Sequence, residues 1–311
     1  MIDILLATYN GERFLAELLD SLMRQKCDED FIIRIRDDGS KDSTCEIIKE
    51  YQKKYPKKLF LEENTVPSGS AKSNFFKLMG DAKGEYIMFC DQDDIWEENK
   101  IQITLDAMKK KEREKGNIPV LVCTDLKVMD ENQTILSPSF RRYMNLRADG
   151  MLRSLILQNN VTGCTMMVNQ PLLTLMKRKV KVENILMHDH YAAILALMFG
   201  ELVYLDETPI LYRQHSKNSV GAKDAKSISY LFSRWKQGKK QYQKDLFASA
   251  RQVNEILICF SKEKFEESSR KLLEEYAKIE KMDKLHRIHF YLKYNVYKHG
   301  WIRCVMGFVW G

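Results

Sequence analysis

Three carboxylates follow directly on a short apolar segment of this sequence. The segment Tyr86–Cys90 is apolar throughout, and Asp91, Asp93 and Asp94 come after it. An apolar run of this length is typical of a buried strand. On extended backbone Asp91 and Asp93 point to the same side, and a pair of hard oxygen ligands favours Mg²⁺ or Mn²⁺ over Zn²⁺. The alternative is a polar turn into a helix, with Asp93 or Asp94 as its N-cap.

Polar clusters also follow three other apolar segments. The clusters are Thr8-Tyr9-Asn10, Asp37-Asp38-Gly39-Ser40 and Thr124-Asp125. Because parallel strands bring their carboxyl ends to one edge of a sheet, we expect the four clusters to converge on one site. Asp38-Gly39-Ser40 also fits a plain turn, since these residue types are common in turns. In a site, the carboxylate there would accept hydrogen bonds from a nucleobase or ribose.

The segment His188-Asp189-His190-Tyr191 precedes an apolar helical stretch that extends to Phe199. Asp189 could cap that helix. It could also act as a general base that removes a proton from an attacking hydroxyl. A metal site built from the two histidines is disfavoured, because their spacing puts them on different faces of the helix.

A second basic and polar segment, Tyr212-Arg213-Gln214-His215, follows an apolar pair near the end of the strand-rich region. Arg213 and His215 alternate, so on a strand they lie on the same side. One interpretation is an exposed strand edge. The other is a site in which Arg213 binds a phosphate and His215 binds phosphate or metal.

The elements that must position these residues alternate between strand and helix. Short apolar runs begin at Ile2, Phe31, Leu59 and Tyr86, and segments with helical periodicity separate them. This alternation predicts an α/β fold, a mostly parallel central sheet flanked by helices. Thr162–Asn169 is expected to be a further strand, in which Gly163 permits a close approach of the backbone.

After residue 222 the patterns become helical, so we expect two regions, 1–222 and 223–311, with the boundary near residues 221–227. The first has 31 Lys and Arg against 33 Asp and Glu, and the second has 19 against 10. The net charge of +7 therefore belongs to the carboxyl-terminal region, where it indicates an anionic partner and not a general nucleic-acid surface.

Composition and missing motifs exclude several classes of protein. No window has the roughly 18 uninterrupted apolar residues of a membrane span, and the amino terminus has no basic region typical of a signal peptide. The seven cysteines have no CxxC pairing, which favours a reducing compartment without a zinc site. Neither GxGxxG nor GxxxxGK[ST] is present, which disfavours dinucleotide binding and a P-loop kinase. A nucleotidyltransferase would need a Gly/Arg-rich loop, and Thr8–Phe14 has none.

Taken together, the motifs resemble the family-2 glycosyltransferases, which have the GT-A fold, over roughly residues 1–222. The match is carried by Thr8-Tyr9-Asn10, Asp38-Gly39-Ser40-Lys41-Asp42-Ser43-Thr44, Gly69-Ser70-Ala71-Lys72-Ser73-Asn74 and Asp91-Gln92-Asp93-Asp94. His188-Asp189-His190-Tyr191 and Tyr212-Arg213-Gln214-His215-Ser216-Lys217-Asn218 resemble the branch of rhamnosyltransferases that acts in bacterial cell-wall or surface polysaccharide synthesis.

The resemblance implies a role for each matching residue. The nucleotide would be bound by Thr8, Tyr9, Asn10, Asp38, Lys72, Asn74, Asp91 and Arg213. The metal, Mn²⁺ or Mg²⁺, would be held by Asp93, Asp91 and His215. Asp189 would be the catalytic base. The family usually has Glu-Asp or a related pair where this chain has His188-Asp189, so this assignment departs from the family pattern.

The implied reaction is an inverting transfer from a nucleotide sugar to a lipid-linked saccharide, with dTDP-rhamnose favoured as donor. Other donors remain open, namely UDP-glucose, UDP-galactose and UDP-N-acetylhexosamine, as does a non-catalytic nucleotide-sugar-binding protein. We expect no nucleic-acid partner, and the chain could form a homo-oligomer.

The last part of the chain, Tyr291–Gly311, mixes aromatic and basic residues. The cations Lys293, Lys298 and Arg303 are interleaved there with six aromatic side chains: Tyr291, Tyr294, Tyr297, Trp301, Phe308 and Trp310. This pattern is typical of helices at a membrane interface. We therefore expect the enzyme to be cytoplasmic and peripheral on the inner face of the plasma membrane. The alternative is a helix packed on the catalytic domain or on a second copy of it.

Overall fold

The computed structural model describes residues 1–62, 66–215 and 228–311. Its strands are β1 Ile2–Thr8, β2 Phe31–Asp37, β3 Leu59–Glu62, β4 Tyr86–Cys90, β5 Ile95–Trp96, β6 Val120–Cys123, β7 Lys127–Met129, β8 Ile135–Ser137, β9 Met166–Asn169, β10 Glu201–Tyr204 and β11 Ile210–Arg213. Its α-helices are α1 Leu15–Met23, α2 Thr44–Lys54, α3 Ala71–Asp81, α4 Lys100–Lys115, α5 Phe140–Tyr143, α6 Leu152–Leu155, α7 Gln170–Met176, α8 His188–Phe199, α9 Ile228–Cys259, α10 Glu267–Tyr276, α11 Lys284–Tyr294 and α12 Trp301–Trp310. Helix α9 is interrupted at Gly238, which has φ +70°.

The main sheet has seven strands in the order β10-β6-β9-β4-β1-β2-β3. Strand β1 is parallel to β2 and β4, β2 is parallel to β3, and β6 is parallel to β10. Strand β9 is antiparallel to both of its neighbours. A smaller sheet has the order β5-β11-β7-β8. The predicted α/β class with a mostly parallel central sheet is confirmed.

The strand expected over Thr162–Asn169 is shorter in the structure. Its first part, Gly163–Thr165, is a 3₁₀ turn, and β9 begins at Met166. The close approach expected at Gly163 is present, because a Cβ there would lie 2.7 Å from Nε2 of His188. Hydrophobic alternation shows the strand, but it does not show where a turn replaces the first residues.

The strand register brings the polar clusters to one edge of the sheet. Thr8 pairs with Asp37 at the ends of β1 and β2, and Leu6 pairs with Cys90 near the ends of β1 and β4. Asp91 therefore leaves β4 at the edge where β1 ends in Thr8. Parallel pairing is what aligns these carboxyl ends.

Helix α3 shows how local sequence places one residue of the site. Ser70 caps the helix, since its Oγ accepts a hydrogen bond from the backbone N of Ser73 at 3.2 Å. Asn74, Phe75 and Leu78 then lie on the buried face, at the spacing of an amphipathic helix. The helix thereby orients Asn74 towards β2, where Nδ2 of Asn74 donates to the carbonyl of Arg36 at 2.8 Å.

From Ala192 to Phe199, helix α8 is apolar around its whole circumference, and the helix is buried nearly throughout. Such a helix is stable only when it is packed on all sides. Helix α8 packs on the sheet and on α3, α6 and α7. Val253 and Ile256 of α9 belong to the same core cluster as Tyr191 and Ala192 of α8. The carboxyl-terminal helices therefore share a hydrophobic core with the sheet. A second core lies on the opposite face of the sheet, under α1, α2 and α4.

The division into residues 1–222 and 223–311 stays a prediction, because the boundary near 221–227 lies outside the described residues. All seven cysteines fall within the described part and are free thiols. Among helices in the described ranges, none combines the length and the apolar composition needed to cross a membrane.

Gly200 joins α8 to β10 and offers a test of this packing. A Cβ at Gly200 would lie 1.8 Å from the carbonyl oxygen of Pro119, which also accepts the backbone N–H of Glu201. We expect Gly200→Ala to lower the free energy of unfolding by about 2 kcal/mol or more, because backbone must move at the β6–β10 pair. The measurement is urea denaturation.

Gly80→Ala is the matched control. Gly80 lies in α3 and is exposed, and a Cβ added there would meet no described atom within 4 Å. Alanine favours helix over glycine, so this variant should be as stable as the original chain or more stable by up to about 1 kcal/mol. Equal unfolding midpoints for the two variants would contradict the tight contact at Gly200.

Candidate active site

A cavity of about 1360 Å³ opens at the carboxyl edge of the main sheet. Its wall contains nine of the eleven residues that the sequence assigned to a site: Thr8, Tyr9, Asn10, Asp38, Asn74, Asp91, Asp93, Asp189 and His215. The two others, Lys72 and Arg213, do not line it. The convergence of distant segments on one cavity is the main geometric finding.

The fourth polar cluster, Thr124-Asp125, does not line the cavity, so the expectation that it joins the site is wrong. Asp125 accepts hydrogen bonds from Oγ of Ser139 at 2.5 Å and from the backbone N of Arg141 at 3.2 Å. The cluster ends β6, and β6 is separated from β4 by β9. Asp125 therefore holds the start of α5 and not a ligand site.

The end of β1 and the end of β2 form one side of the cavity. Asp37 closes the turn after β2, because its carboxylate accepts from the hydroxyl of Thr8 at 2.9 Å and from the backbone N of Ser40 at 2.7 Å. Gly39 in that turn has φ +86°, a conformation that favours glycine. Asp38 lines the cavity, and its carboxylate accepts the backbone N–H of Gly69 at 2.9 Å.

Gln92 positions Tyr9, and the sequence analysis missed this role. The side chain of Gln92 accepts the backbone N–H of Tyr9 at 2.8 Å and donates to its carbonyl at 3.0 Å. Gly11 leaves room for this contact, since a Cβ there would lie 2.4 Å from Oε1 of Gln92. The alternation that singled out Asp91 and Asp93 gives no information about the residue between them.

Asp91 and Asp93 bring two carboxylates to the cavity, and His215 approaches one of them. Nε2 of His215 lies 2.7 Å from Oδ2 of Asp93, and its ring packs 5.2 Å from that of Phe14. Burial raises the pKa of Asp91 to about 7, with further contributions from the charges of Asp93 and Asp189. Carboxylates that repel each other in this way fit a divalent cation, which would offset their charge.

A second group of potential metal ligands shares Asp91 with this pair. Asp91, Asp94 and Cys164 place potential ligand atoms within 4.8 Å of one another, the one such group found among the described residues. Neither Asp94 nor Cys164 lines the cavity. Burial raises the pKa of Asp94 far above its ordinary value, and the carboxyl accepts the backbone N–H of Arg213 at 3.2 Å. Asp94 therefore fits a protonated carboxyl that supports β11. It does not cap a helix, since Asn99 is the N-cap of α4.

Arg213 has a supporting position in the structure. Its Nε donates to the carbonyl of Asp93 at 3.0 Å, and its guanidinium contacts Oε2 of Glu17 at 2.6 Å and lies 4.4 Å from the ring of Phe14. The side chain is 1% exposed and β11 is an interior strand, so the strand-edge interpretation is wrong. Direct binding of a diphosphate by Arg213 stays a prediction.

Lys72 also contacts protein in the structure. Its Nζ donates to the carbonyl of Ile185 at 2.5 Å, just ahead of α8. Burial lowers the pKa of this ammonium group. The predicted contact of Lys72 with the nucleotide stays a prediction.

Asp189 lies in the first turn of α8 and lines the same cavity as Asp91 and Asp93. Met187 is the N-cap of α8, so the capping interpretation of Asp189 is wrong. Oδ1 of Asp189 accepts from Nδ2 of Asn159 at 3.0 Å, and Oδ2 accepts from the backbone N of Gly163 at 3.1 Å. Burial raises its pKa to about 6, while these hydrogen bonds act in the opposite direction. Such a carboxylate is suited to removing a proton near neutral pH.

His190 is not available to remove a proton, because both of its ring nitrogens contact protein. Nε2 lies 2.7 Å from the carbonyl of Leu155, and Nδ1 lies 3.1 Å from Nε2 of Gln252 on α9. Oε1 of Gln252 also accepts the backbone N–H of Leu186 at 2.7 Å. His190 thus links the start of α8 to the carboxyl-terminal helices.

Two solved structures that share this fold are glycosyltransferases bound to nucleotide sugars. The chain matches the crystal structure of Staphylococcus aureus TarS residues 1–349 in complex with UDP-GlcNAc, with a TM-score of 0.58, 16% identity, and coverage of 90% of this chain and 72% of that one. It also matches the mannosyltransferase PcManGT from Pyrobaculum calidifontis in complex with GDP-Man and Mn²⁺, with a TM-score of 0.51, 14% identity, and coverage of 99% and 87%. At these identities the likeness shows the fold, which is GT-A.

Sequence comparison defines the family. The family model "Glycosyl transferase family 2" matches residues 3–175. The chain is 32% identical over 227 residues to dTDP-rhamnosyl transferase RfbG of Shigella flexneri. The aligned region covers 70% of this chain and 74% of that protein. It is 37% identical over 123 residues to a poly(ribitol-phosphate) beta-glucosyltransferase of Bacillus spizizenii, covering 35% of this chain and 19% of that protein. The chain belongs to glycosyl transferase family 2, and its activity is that of a transferase.

The environment of Asp189 predicts a shift in pH dependence. If Asp189 is the base, it is active above its pKa of about 6, and the rate should then rise with pH through about 6. Asn159 donates to the charged carboxylate, and removing that donor in Asn159→Leu should raise the pKa of Asp189. We expect the acidic limb of kcat/KM to move to higher pH.

The check is the pH profile of sugar transfer or of slow nucleotide-sugar hydrolysis. Asn159→Asp, which adds a negative charge beside Asp189, should move the limb in the same direction. A lower rate at every pH with an unmoved limb in both variants would show that Asn159 has no electrostatic effect on Asp189.

Proposed function

We propose that this protein transfers a sugar from a nucleotide sugar to a lipid-linked saccharide with inversion at the anomeric carbon, in cell-wall or surface polysaccharide synthesis. The observation that carries the proposal is that Asp38, the Asp91–Asp93 pair and Asp189 line one cavity. The favoured donor is dTDP-rhamnose, which supplies L-rhamnose. The 32% identity to a protein named dTDP-rhamnosyl transferase supports this choice.

In this proposal the nucleotide lies against the ends of β1 and β2. Tyr9 is 55% exposed at the cavity and offers a ring face to the base, while Asp38 offers a carboxylate to base or ribose. The position of Tyr9 is set by Gln92, so the base side is coupled to the segment that carries the acidic pair.

The diphosphate lies at Asp91 and Asp93, where these side chains and His215 would hold Mn²⁺ or Mg²⁺. The hard oxygens of the two carboxylates suit either ion. When bound, the cation offsets the negative charge that develops on the departing diphosphate. Arg213 donates to the carbonyl of Asp93 and thereby keeps Asp93 in position, while Glu17 binds the guanidinium of Arg213.

Asp189 is the proposed base. Oδ1 has two hydrogen-bond donors, Asn159 and the backbone N of His190, whereas Oδ2 has one among the described residues, the backbone N of Gly163. Oδ2 therefore has the freer lone pair, and it takes the proton of the acceptor hydroxyl. The hydroxyl oxygen forms a bond to the anomeric carbon while the bond from that carbon to the phosphate oxygen breaks. No covalent enzyme intermediate is required, and catalysis relies on positioning and electrostatics.

The acceptor occupies the part of the cavity next to the carboxyl-terminal helices. Tyr242 and Ser249 of α9 and Met306 of α12 line it, together with Leu157 and Gln158. The cavity volume of about 1360 Å³ exceeds the roughly 300–1,000 Å³ of a typical single-ligand pocket, which supports a site for two substrates. A mixed apolar and polar wall suits a saccharide on a lipid carrier.

We also propose that α11 and α12 bind the inner face of the plasma membrane. Several aromatic side chains of this region, including Phe290 and Tyr291, are buried in the core, so they do not provide the contact. Exposed apolar side chains do: Leu285 is 77% exposed and Leu292 is 56% exposed, and Lys293, which is paired with Glu275, follows Leu292 in the chain. Burying leucines in lipid and placing cations near anionic headgroups are both favourable.

The base assignment predicts the effect of Asp189→Asn. The amide cannot accept the proton, so sugar transfer should fall by at least ~10²-fold while nucleotide-sugar binding survives. Transfer is measured with a panel of dTDP-rhamnose, UDP-glucose, UDP-galactose and UDP-N-acetylglucosamine, and binding by calorimetry. Asp106→Asn, an exposed change on α4, is the matched control and should keep full activity.

Near-normal turnover by Asp189→Asn would show that another group is the base. Nucleotide-sugar binding by the original chain without transfer or hydrolysis, in Mn²⁺ and in Mg²⁺, would favour the non-catalytic binding protein.

Membrane binding is tested by flotation with liposomes that contain anionic lipid. Leu285→Glu combined with Leu292→Glu adds charge to the proposed contact, and we expect most of the protein to remain in the aqueous fraction. Ile258→Glu is the control, because Ile258 is 62% exposed but lies on α9. Equal flotation of the double variant and the original chain would refute the contact at α11.

A further inference from the structure

His188 is a buried histidine beside the proposed base. It is 3% exposed, and neither Nδ1 nor Nε2 has a hydrogen-bond partner among the residues that the structure describes. Buried polar groups are nearly always hydrogen-bonded, because an unsatisfied one destabilises the fold. The neighbouring His190, by contrast, uses both nitrogens on protein atoms. His188 therefore has two hydrogen-bonding atoms that no described residue uses.

The ring of His188 is held in a fixed orientation. Its centroid lies 4.1 Å from that of Phe75 on α3 and 4.9 Å from that of Phe89 on β4, the latter in a stacked arrangement. The side chain lines the cavity. Two aromatic contacts from different elements leave the imidazole little freedom to rotate.

Gly163 provides the space in front of the ring. A Cβ on Gly163 would lie 2.7 Å from Nε2 of His188 and 3.7 Å from Oδ2 of Asp189. A Cβ at this position would therefore crowd the imidazole edge and stand in ordinary contact with Oδ2 of Asp189. Without a side chain at position 163, the region next to Nε2 and Oδ2 holds no methyl or larger group, although the two nitrogens of His188 are themselves buried.

The charge state of His188 defines the group that it can bind. Burial lowers its pKa to about 3, so the ring is neutral near pH 7 and has one N–H donor and one lone-pair acceptor. A hydroxyl, which both donates and accepts, matches this pair. Among the described residues, the group of three close metal-ligand atoms is Asp91, Asp94 and Cys164, and it does not include His188.

We propose that His188 is a specificity-determining residue that hydrogen-bonds a hydroxyl of the transferred sugar, in the space kept open by Gly163. The inference rests on the proposed function. The donor sugar must lie between the diphosphate at Asp91 and the base Asp189, and His188 lines the same cavity as both. It stacks on Phe89, two residues before Asp91, and directly precedes Asp189.

The test is His188→Phe, which keeps a ring of similar shape between Phe75 and Phe89 and removes both nitrogens. We expect the affinity for the nucleoside diphosphate alone to change by less than about twofold, because this ligand lacks the transferred sugar. Binding of the nucleotide sugar should weaken about tenfold, the size of one hydrogen bond lost. The melting temperature should stay the same or rise, since an unsatisfied buried polar group is removed.

Calorimetry with dTDP and dTDP-rhamnose, and with UDP and the UDP-sugars of the panel, gives these affinities without need for turnover. His289→Phe on the exposed side of α11 is the matched control and should bind as the original chain does. Gly163→Ala should likewise weaken the nucleotide sugar more than the nucleoside diphosphate, because its methyl group fills the space in front of Nε2.

Unchanged nucleotide-sugar affinity in His188→Phe would overturn the inference. An equal loss of affinity for the nucleotide sugar and for the nucleoside diphosphate would also overturn it. If the original chain binds a nucleotide sugar but transfers nothing, the proposed reaction fails while the affinity comparison still decides the role of His188. If it binds no nucleotide sugar, both proposals fail.

Discussion

Repulsion among carboxylates at one edge of a sheet is the constraint on which the rest of this structure depends. Parallel pairing aligns the ends of β1, β2 and β4, so acidic residues after these strands meet in a partly buried cavity. Asp189, from α8, lines the same cavity, and its charge contributes to the raised pKa of Asp91. Such a cluster is costly unless a cation, protons or hydrogen-bond donors offset its charge.

The protein supplies donors to the acidic residues selectively. Asp37, Asp38 and Asp189 each accept backbone N–H groups, which stabilise their charged forms. Asp93 has His215 at its carboxylate and Arg213 at its carbonyl. Asp91 and Asp93 thus face the cavity beside carboxylates that already accept backbone N–H groups.

The carboxyl-terminal helices belong to the same arrangement. Gln252 on α9 contacts both His190 and the backbone of Leu186, on either side of Asp189. Glu255, one turn further along α9, accepts the backbone N–H of Lys181 at 2.9 Å and the side-chain amide of Asn184. The loop that leads to Asp189 is therefore held by α9, which also forms part of the cavity wall. A region that looks separable by charge and composition is structurally joined to the site.

The sequence by itself determined the α/β class, the order of the first strands and helices, and which carboxylates stand at strand ends. Those properties follow from local periodicity and from the register that parallel pairing imposes. Only the tertiary structure decided that Thr124-Asp125 stays out of the cavity, that Arg213 supports Asp93 through its backbone, and that Gln92, Asn159 and Gly163 position Tyr9 and Asp189. Contacts between residues far apart in sequence leave no periodic signal, because strand order and side-chain packing create them after the chain has folded.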